Sequence, residues 1–233
     1  MVRETSTDEL QKELGIEPIT DTGPLEPTIE EKRDENGVLL QRISQVKGVL
    51  HGPLEIYTNG VLTTRIEYER GIQNGELCEY DGDGKPLVKA MYKDGVKSGP
   101  CWIYQKGVPY AEIHYENGLQ QGIARYFSSG GQVVSLIYYD KGKMNGVFTV
   151  FGENGEPIRI AEYKDDKMHG MVTTFYESGQ VMTQATYKDD KIQGRQTTFY
   201  EDGSVQEVKH YNEGILLGPP ARFDERGKLL KAG

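Results

Sequence analysis

Residues 155–178 read GEPIRIAEYKDDKMHGMVTTFYES, and residues 179–202 read GQVMTQATYKDDKIQGRQTTFYED. Aligned on their first glycine, the two stretches share a glycine, a tyrosine, an acidic turn, a second glycine and an aromatic residue in the same places. The pattern recurs along the chain from residue 37 onward at spacings of 23 or 24 residues. Periods of this length are typical of repeat proteins, in which each repeat buries its apolar surface against its neighbours.

Four residue series define the repeat. The first glycine of each repeat is Gly37, Gly60, Gly84, Gly107, Gly131, Gly155, Gly179 or Gly203. Eight residues later stands Gln45, Tyr68, Tyr92, Tyr115, Tyr139, Tyr163, Tyr187 or Tyr211, which we call the Tyr series. The second glycine follows seven residues later, at Gly52, Gly75, Gly99, Gly122, Gly146, Gly170, Gly194 or Gly218. Five residues beyond it stands Tyr57, Tyr80, Tyr104, Phe127, Phe151, Phe175, Phe199 or Phe223.

Each repeat has the signature of a β-hairpin. Dipeptides such as Asn59-Gly60 and Asp94-Gly95 supply the positive φ that tight β-turns need. Between the turns, apolar residues alternate with polar ones, as expected of strands. Hairpins of this size cannot bury their own apolar face, so we expect them to pair edge to edge.

The sequence therefore predicts an all-β fold: an elongated, single-layer antiparallel meander sheet of about eight hairpin repeats of 23–24 residues, over residues 37–233. About sixteen strands at a spacing of about 4.8 Å would make a sheet about 75 Å long. We expect both aromatic series and the aliphatic positions to stack on one face of that sheet.

The first 36 residues differ from the rest in composition. They carry eleven acidic and four basic residues and no aromatic residue, whereas the whole chain has a net charge of −9. A segment of this kind buries too little apolar surface to order itself, so we predict a mostly disordered acidic leader over residues 1–36. A capping pattern at Ser6 and Glu9 predicts a short helix over residues 7–14 within it.

Composition also restricts the partners and the cellular compartment. No apolar run is long enough for a membrane-spanning helix, and the amino terminus lacks the apolar region of a secretory signal, so we expect a cytoplasmic protein. The acidic balance disfavours direct nucleic-acid binding and anionic membranes, since both recruit clustered Lys and Arg. Two cysteines, Cys78 and Cys101, are predicted to face opposite sides of the sheet and to remain unpaired.

No pattern in the sequence indicates catalysis. His51 and His169 share one repeat position but lie five repeats apart, and we expect them to be solvated surface residues. Phosphate-binding loops, nucleophile elbows and Cys/His couples are missing from the sequence. We therefore predict no enzyme activity, no catalytic residue, no metal site and no cofactor.

The second face of a single-layer sheet is available for binding. We expect the positions that point away from the Tyr series to be apolar only in the central repeats and to be Gln or Thr nearer the carboxyl terminus. An exposed apolar patch in polar surroundings is a candidate interaction site. The predicted partner-binding residues are Ile103, Tyr110, Tyr126, Leu136, Tyr138, Phe148 and Ile158.

The repeated unit, with its glycine, its Tyr-x-x-Gly turn, its second glycine and its closing aromatic residue, resembles the MORN repeat. It is most similar to the bacterial MORN-variant repeats of proteins classed as YwqK-family antitoxins, over about residues 37–230. The resemblance implies a non-catalytic protein that binds and neutralises a toxin acting in the cytosol. A basic nuclease is a partner type that would suit an acidic inhibitor. The alternative is a MORN-type scaffold or membrane-recruiting module, although the acidic charge disfavours membrane recruitment. We expect the free protein to be a monomer.

Overall fold

A computed structural model of the chain describes residues 26–230, and every regular element in that range is a β-strand. The range contains no helix long and apolar enough to cross a membrane. The chain forms two compact units, one ending at Leu119 and the other beginning at Gln120, so the boundary falls within the short strand β9 (Leu119–Gln120). The predicted helix over residues 7–14 lies outside the described residues.

The first unit is an antiparallel sheet in which each strand pairs with the next along the chain. Its strands are β1 (Thr28–Arg33), β2 (Leu39–Val46), β3 (Val49–Thr58), β4 (Val61–Glu69), β5 (Ile72–Tyr80), β6 (Pro86–Lys93), β7 (Val96–Gln105) and β8 (Val108–Glu116).

The second unit has the same design, with consecutive strands paired antiparallel from β10 to β18, after which β19 pairs with β17 and β20 with β19. Its strands are β10 (Gly122–Phe127), β11 (Val133–Asp140), β12 (Lys143–Phe151), β13 (Pro157–Lys164), β14 (Lys167–Phe175), β15 (Val181–Lys188), β16 (Lys191–Phe199), β17 (Val205–Asn212), β18 (Ile215–Leu216), β19 (Ala221–Phe223) and β20 (Leu229–Leu230). The prediction of an all-β antiparallel meander of hairpins is confirmed.

The sheet begins earlier than predicted. Strand β1 lies inside the segment assigned to the disordered leader, yet it pairs with β2 along its whole length. Its charges are compensated across the strands, since Glu31 accepts hydrogen bonds from Arg42 and Glu30 accepts one from Gln45. The composition of residues 1–36 conceals this pairing, because cross-strand charge pairs stabilise a strand that buries little apolar surface. The boundary at residue 37 was therefore placed too late.

Backbone hydrogen bonds connect the turns at one edge of each sheet from one repeat to the next. The backbone N–H of Gly71 donates to the carbonyl of Leu50 at 2.7 Å, and in the second unit Asp166 donates in the same way to Met144 at 3.0 Å. Asp166 occupies a position that is glycine in most repeats and has a φ of 69°. Its Oδ1 also accepts the N–H of Met144 at 2.8 Å, so this aspartate adds a second hydrogen bond that a glycine cannot make.

The pairing register shows which residues share a face. The second glycine of a repeat pairs directly with the next residue of the Tyr series, as Gly75 does with Tyr92 and Gly146 with Tyr163. Side chains alternate along a strand, so positions two and four after that glycine lie on the same face as the tyrosines. We call this the Tyr face and the other one the opposite face.

The second aromatic series was assigned to the wrong face. Tyr57 stands five residues after its glycine, an odd number, and its hydroxyl donates to Glu55 at 2.8 Å, two residues back on the opposite face. Tyr80 likewise hydrogen-bonds with Cys78, which pairs with Lys89 on the opposite face. The two aromatic series therefore do not stack together in these repeats.

Buried side chains concentrate on the Tyr face. In the first unit the core consists of Ile43, Leu50, Leu54, Ile66 and Tyr68. In the second unit the central row of the same face contains the buried small residues Ala124, Ala161, Val172 and Ala185. In the central row on the opposite face of the second unit, the buried residues include Thr173 and Thr197.

Candidate binding surface

The structure separates the seven predicted partner-binding residues into three groups. Leu136 and Tyr138 lie on the opposite face, as predicted, since they pair with Arg125 and Ile123 and alternate with Tyr139. Tyr110 and Ile158 are exposed, but each stands beside a β-bulge where the regular alternation of faces breaks. The remaining three residues, Ile103, Tyr126 and Phe148, lie on the Tyr face, which contradicts their predicted placement.

Phe148 makes the reason for the error clear. It stands two residues after Gly146 and pairs with Ala161, and its ring meets Tyr163 edge-on at a centroid distance of 6.0 Å. The prediction assigned faces relative to the second aromatic series, which it had placed on the wrong face of the sheet. Because the side-chain period of a strand is two, one such error moves every residue of the strand to the other side.

An apolar cleft lies on the opposite face of the second unit, across strands β10, β11 and β12. Its volume is about 430 Å³, and its main apolar walls are Ile123, Leu136, Tyr138 and Val147. Ile123 and Tyr138 face each other as a cross-strand pair and remain 43% and 41% exposed, while Val147 is 50% exposed. We call this feature the central cleft.

A glycine forms the floor of the central cleft. A Cβ added at Gly146 would come within 3.2 Å of the Tyr138 ring, so the ring lies directly over the glycine backbone. The corresponding glycine one repeat further on, Gly170, is instead covered by the side chain of Glu162. The cleft is therefore apolar at Gly146 because an aromatic residue occupies a position that holds a carboxylate in the next repeat.

Asn145 supplies a polar group at the rim. It lines the cleft, is half-buried, and its side-chain amide has no hydrogen-bond partner within residues 26–230. Residues at the same repeat position elsewhere fasten the next turn: Nδ1 of His51 accepts the N–H of Arg70, and Oε1 of Gln121 accepts the N–H of Lys141. Asn145 makes no such bond, so its donor and acceptor are both available to a ligand.

The charges around the central cleft are placed at its ends. The residues that line it carry no carboxylate, amine or guanidinium. Arg125 stands directly across from Leu136, and Glu162 stands directly across from Val147. The Glu162 carboxylate accepts the N–H of Met171 at 3.1 Å, so it is held toward β14.

Nearer the carboxyl terminus the opposite face is polar. The residues that continue the row of Leu136 are Thr149 and Ile160 and then Thr173, Gln184 and Thr197. This part of the prediction, an apolar region that gives way to Gln and Thr, agrees with the register. In this row the apolar residues Leu136 and Ile160 lie toward the start of the second unit, and polar residues follow them as far as Thr197.

Two of the four histidines contact neighbouring turns, and both cysteines are buried in the described part of the chain. His51 accepts a backbone hydrogen bond, and His169 lies 3.4 Å from Asp189. Cys78 and Cys101 are both buried and free, and they lie on opposite faces, since Cys78 pairs with Lys89 and Cys101 with the neighbouring Ala90. Burial raises the pKa of the Cys78 thiol, which keeps it protonated and unreactive at neutral pH. Among residues 26–230, no group of His, Cys, Asp and Glu is arranged to hold a metal ion.

Sequence reasoning missed Ile123, Asn145 and Val147. A usable signal was present in the residue directly after the second glycine. In three successive repeats this residue is apolar and is not proline, as Ile123, Val147 and Met171. The incorrect face assignment placed these positions on the Tyr face, away from the predicted binding surface.

Comparison with known proteins identifies the repeat. The MORN repeat variant family matches residues 73–94, 144–165, 168–189 and 192–213. Four segments, which together make up less than half of the chain, are therefore similar to MORN-variant repeats. No curated protein matches the chain in sequence.

Two solved structures give only distant likenesses. A crystal structure of TcdB2-TccC3-Cdc42 is 11% identical over 86% of this chain with a TM-score of 0.22, and this chain spans 12% of its length. A porin-like protein from Bacteroides uniformis ATCC 8492 is 12% identical over 87% of this chain, with 91% of its own length covered and a TM-score of 0.23.

Proposed function

We propose that this protein is a non-catalytic antitoxin that binds and neutralises a protein toxin in the cytoplasm. The observation that supports binding is the central cleft: an exposed apolar site in polar surroundings, with an unpartnered amide at its rim. The sequence resemblance to YwqK-family antitoxins supports the choice of a toxin as the partner. Exposed aromatic and aliphatic side chains of this kind dominate the energetics of protein interfaces.

The charge of the chain suits a basic toxin, such as a nuclease. Residues 1–25 carry six acidic and two basic side chains, a net charge of −4. Complementary charge accelerates encounter more than it strengthens the final complex. Deletion of residues 1–25 should therefore slow association and reduce its dependence on salt, while the dissociation rate changes little; stopped-flow association at two salt concentrations measures both. The deletion stops before β1 so that the edge of the sheet stays intact.

The experiment that tests the proposal is a growth rescue. A toxin gene from the reading frame beside this one is induced in a bacterial host with and without this protein. We expect growth only when the protein is present, and direct binding of the two purified proteins by titration calorimetry. Toxicity that persists despite soluble expression of both proteins would refute the antitoxin function.

The second candidate is a MORN-type scaffold that gathers proteins of the cell itself, which the repeat architecture also suits. In that case the adjacent reading frame encodes no toxin, and a stable partner copurifies from the native host at normal expression. Rescue of a toxin-expressing host would exclude the scaffold as the main role.

A further inference from the structure

We propose that the central cleft binds a short stretch of a partner polypeptide whose central residues are uncharged. One bulky aliphatic or aromatic side chain enters between Tyr138 and Val147, and the main chain beside it is held by the Asn145 amide. The inference rests on the proposed function only in taking the partner to be a protein, and it adds the chemistry that the site recognises.

The size and lining of the cleft fit such a side chain. A volume of about 430 Å³ lies near the lower end for ligand sites, which is enough for one large side chain and its flanking peptide groups. The walls are apolar, and Ile123, Tyr138 and Val147 are each at least two-fifths exposed. Covering them removes apolar surface from water, which is the main driving force for association.

Asn145 distinguishes a peptide from a purely apolar ligand. Any occupant of the cleft dehydrates its amide, and a buried amide without partners is costly. A peptide group offers one donor and one acceptor, which match the acceptor and donor of the asparagine. A hydrocarbon or acyl chain would leave the amide unpaired.

Charge complementarity defines the flanks of the segment. The lining is neutral, so a charged residue at the centre would be buried without a counter-charge. Arg125 on β10 and Glu162 on β13 stand at the two ends, three strand spacings apart. They are also offset by two residues along the strands, so their Cα atoms are about 16 Å apart, which an extended peptide covers in about five residues. The segment is therefore expected to carry an acidic residue near Arg125 and a basic one near Glu162.

The test uses the full-length protein labelled with ¹⁵N and the probe peptide acetyl-Glu-Ala-Phe-Ala-Lys-amide. The matched control peptide has serine in place of phenylalanine. We expect the phenylalanine peptide to shift the backbone signals of Tyr138 and Val147 and the side-chain amide signals of Asn145 in a saturable manner. The serine peptide should bind at least about tenfold more weakly, as expected when a buried large side chain is removed.

Variants assign the effect to the cleft. Val147→Ser and Asn145→Leu should each weaken the probe at least about threefold, whereas Met171→Ser, at the same repeat position as Val147 but outside the cleft, should leave it unchanged. Asn145→Asp provides a second variant of the same size that keeps the acceptors and loses the donors. These positions are at least partly exposed, and unchanged thermal melting confirms that each variant is folded.

Several results would overturn the inference. Equal binding of the two peptides, absence of shifts at the cleft, or full affinity in the Asn145 variants would each exclude a peptide held in this way. Stronger saturable binding of octanoate than of the peptide would identify an acyl chain as the occupant, and self-association that Val147→Ser abolishes would identify a second copy of the chain. Toxin rescue that survives the loss of peptide binding would overturn this inference but leave the antitoxin function in place.

Discussion

Replacement of Tyr68 by phenylalanine should stabilise the first unit. Tyr68 is 3% exposed, and its hydroxyl is buried without a hydrogen-bond partner in the described part of the chain. An unsatisfied buried polar group costs about 1–3 kcal/mol, and phenylalanine keeps the ring that packs in the core. We therefore expect the free energy of unfolding to rise by about 1 kcal/mol at pH 7.

The same substitution should change the response to alkaline pH. Burial raises the pKa of Tyr68 to about 12, whereas an unfolded tyrosine has a pKa near 10. Below pH 10 both states keep the proton, so the stability due to this group is fully present. Between pH 10 and 12 the unfolded chain loses its proton while the folded chain keeps it, so the wild type loses up to about 2–3 kcal/mol in this window. Tyr68→Phe removes that loss.

Urea denaturation, followed by fluorescence of the single tryptophan, measures both effects at pH 7, 9.5 and 11.5. Other tyrosines titrate in both the wild type and the Tyr68→Phe variant. The difference between the two proteins in the free energy of unfolding at each pH therefore reports on Tyr68 alone. Tyr138→Phe serves as the control, because Tyr138 is 41% exposed and its change should stay within about 0.5 kcal/mol. A destabilised Tyr68→Phe, or a stability difference that stays constant from pH 7 to 11.5, would refute the reasoning.

Two further predictions concern the packing of the sheet and are checked by the same denaturation assay. Leu54→Ala should cost about 2–5 kcal/mol because Leu54 is 1% exposed, whereas Leu229→Ala, at a side chain 59% exposed, should stay within about 0.5 kcal/mol; similar costs would contradict the assigned core. Gly170→Ala should destabilise more than Gly194→Ala by at least about 1 kcal/mol. Both glycines have positive φ, but a Cβ at Gly170 collides with the Glu162 carboxylate, whereas one at Gly194 meets open space. Equal destabilisation by the two substitutions would show that the Glu162 side chain moves aside without a cost in free energy.

The hairpin architecture could be predicted because its determinants are local. Turn dipeptides such as Asn59-Gly60 have positive φ in the structure, as their sequence implies. The strict spacing of the glycines then leaves strands of nearly constant length between the turns. Consistency of turn chemistry, alternation and period is what specifies one fold.

The faces of the sheet could not be predicted as reliably, because they depend on pairing between strands. Whether Tyr57 shares a face with the Tyr series is decided by the pairing of Gly52 with Tyr68. Sequence spacing alone does not reveal that pairing, and the wrong choice misplaced Phe148 and its equivalents. The cleft itself depends on a further pairing, since Tyr138 covers Gly146 only because their strands are adjacent.

Asn145 shows a second limit of sequence reasoning. Its repeat position holds His51, Gln121 and His169 elsewhere, and nothing in its own residue type separates it from these neighbours. The distinction is a missing hydrogen bond, which requires the geometry of the next turn. Residues of this kind become visible only when the partners of every side chain are known.

The central claim is that this protein recognises its partner through the central cleft. The most direct measurement is the affinity for the purified toxin, by titration calorimetry, of the Tyr138→Ala, Val147→Ser double variant against the matched Met171→Ser control. Hot-spot side chains typically contribute about 2 kcal/mol or more, so the double variant should bind at least about thirtyfold more weakly while the control keeps wild-type affinity. Wild-type affinity in a correctly folded double variant would contradict the claim and place the interface elsewhere on the repeats.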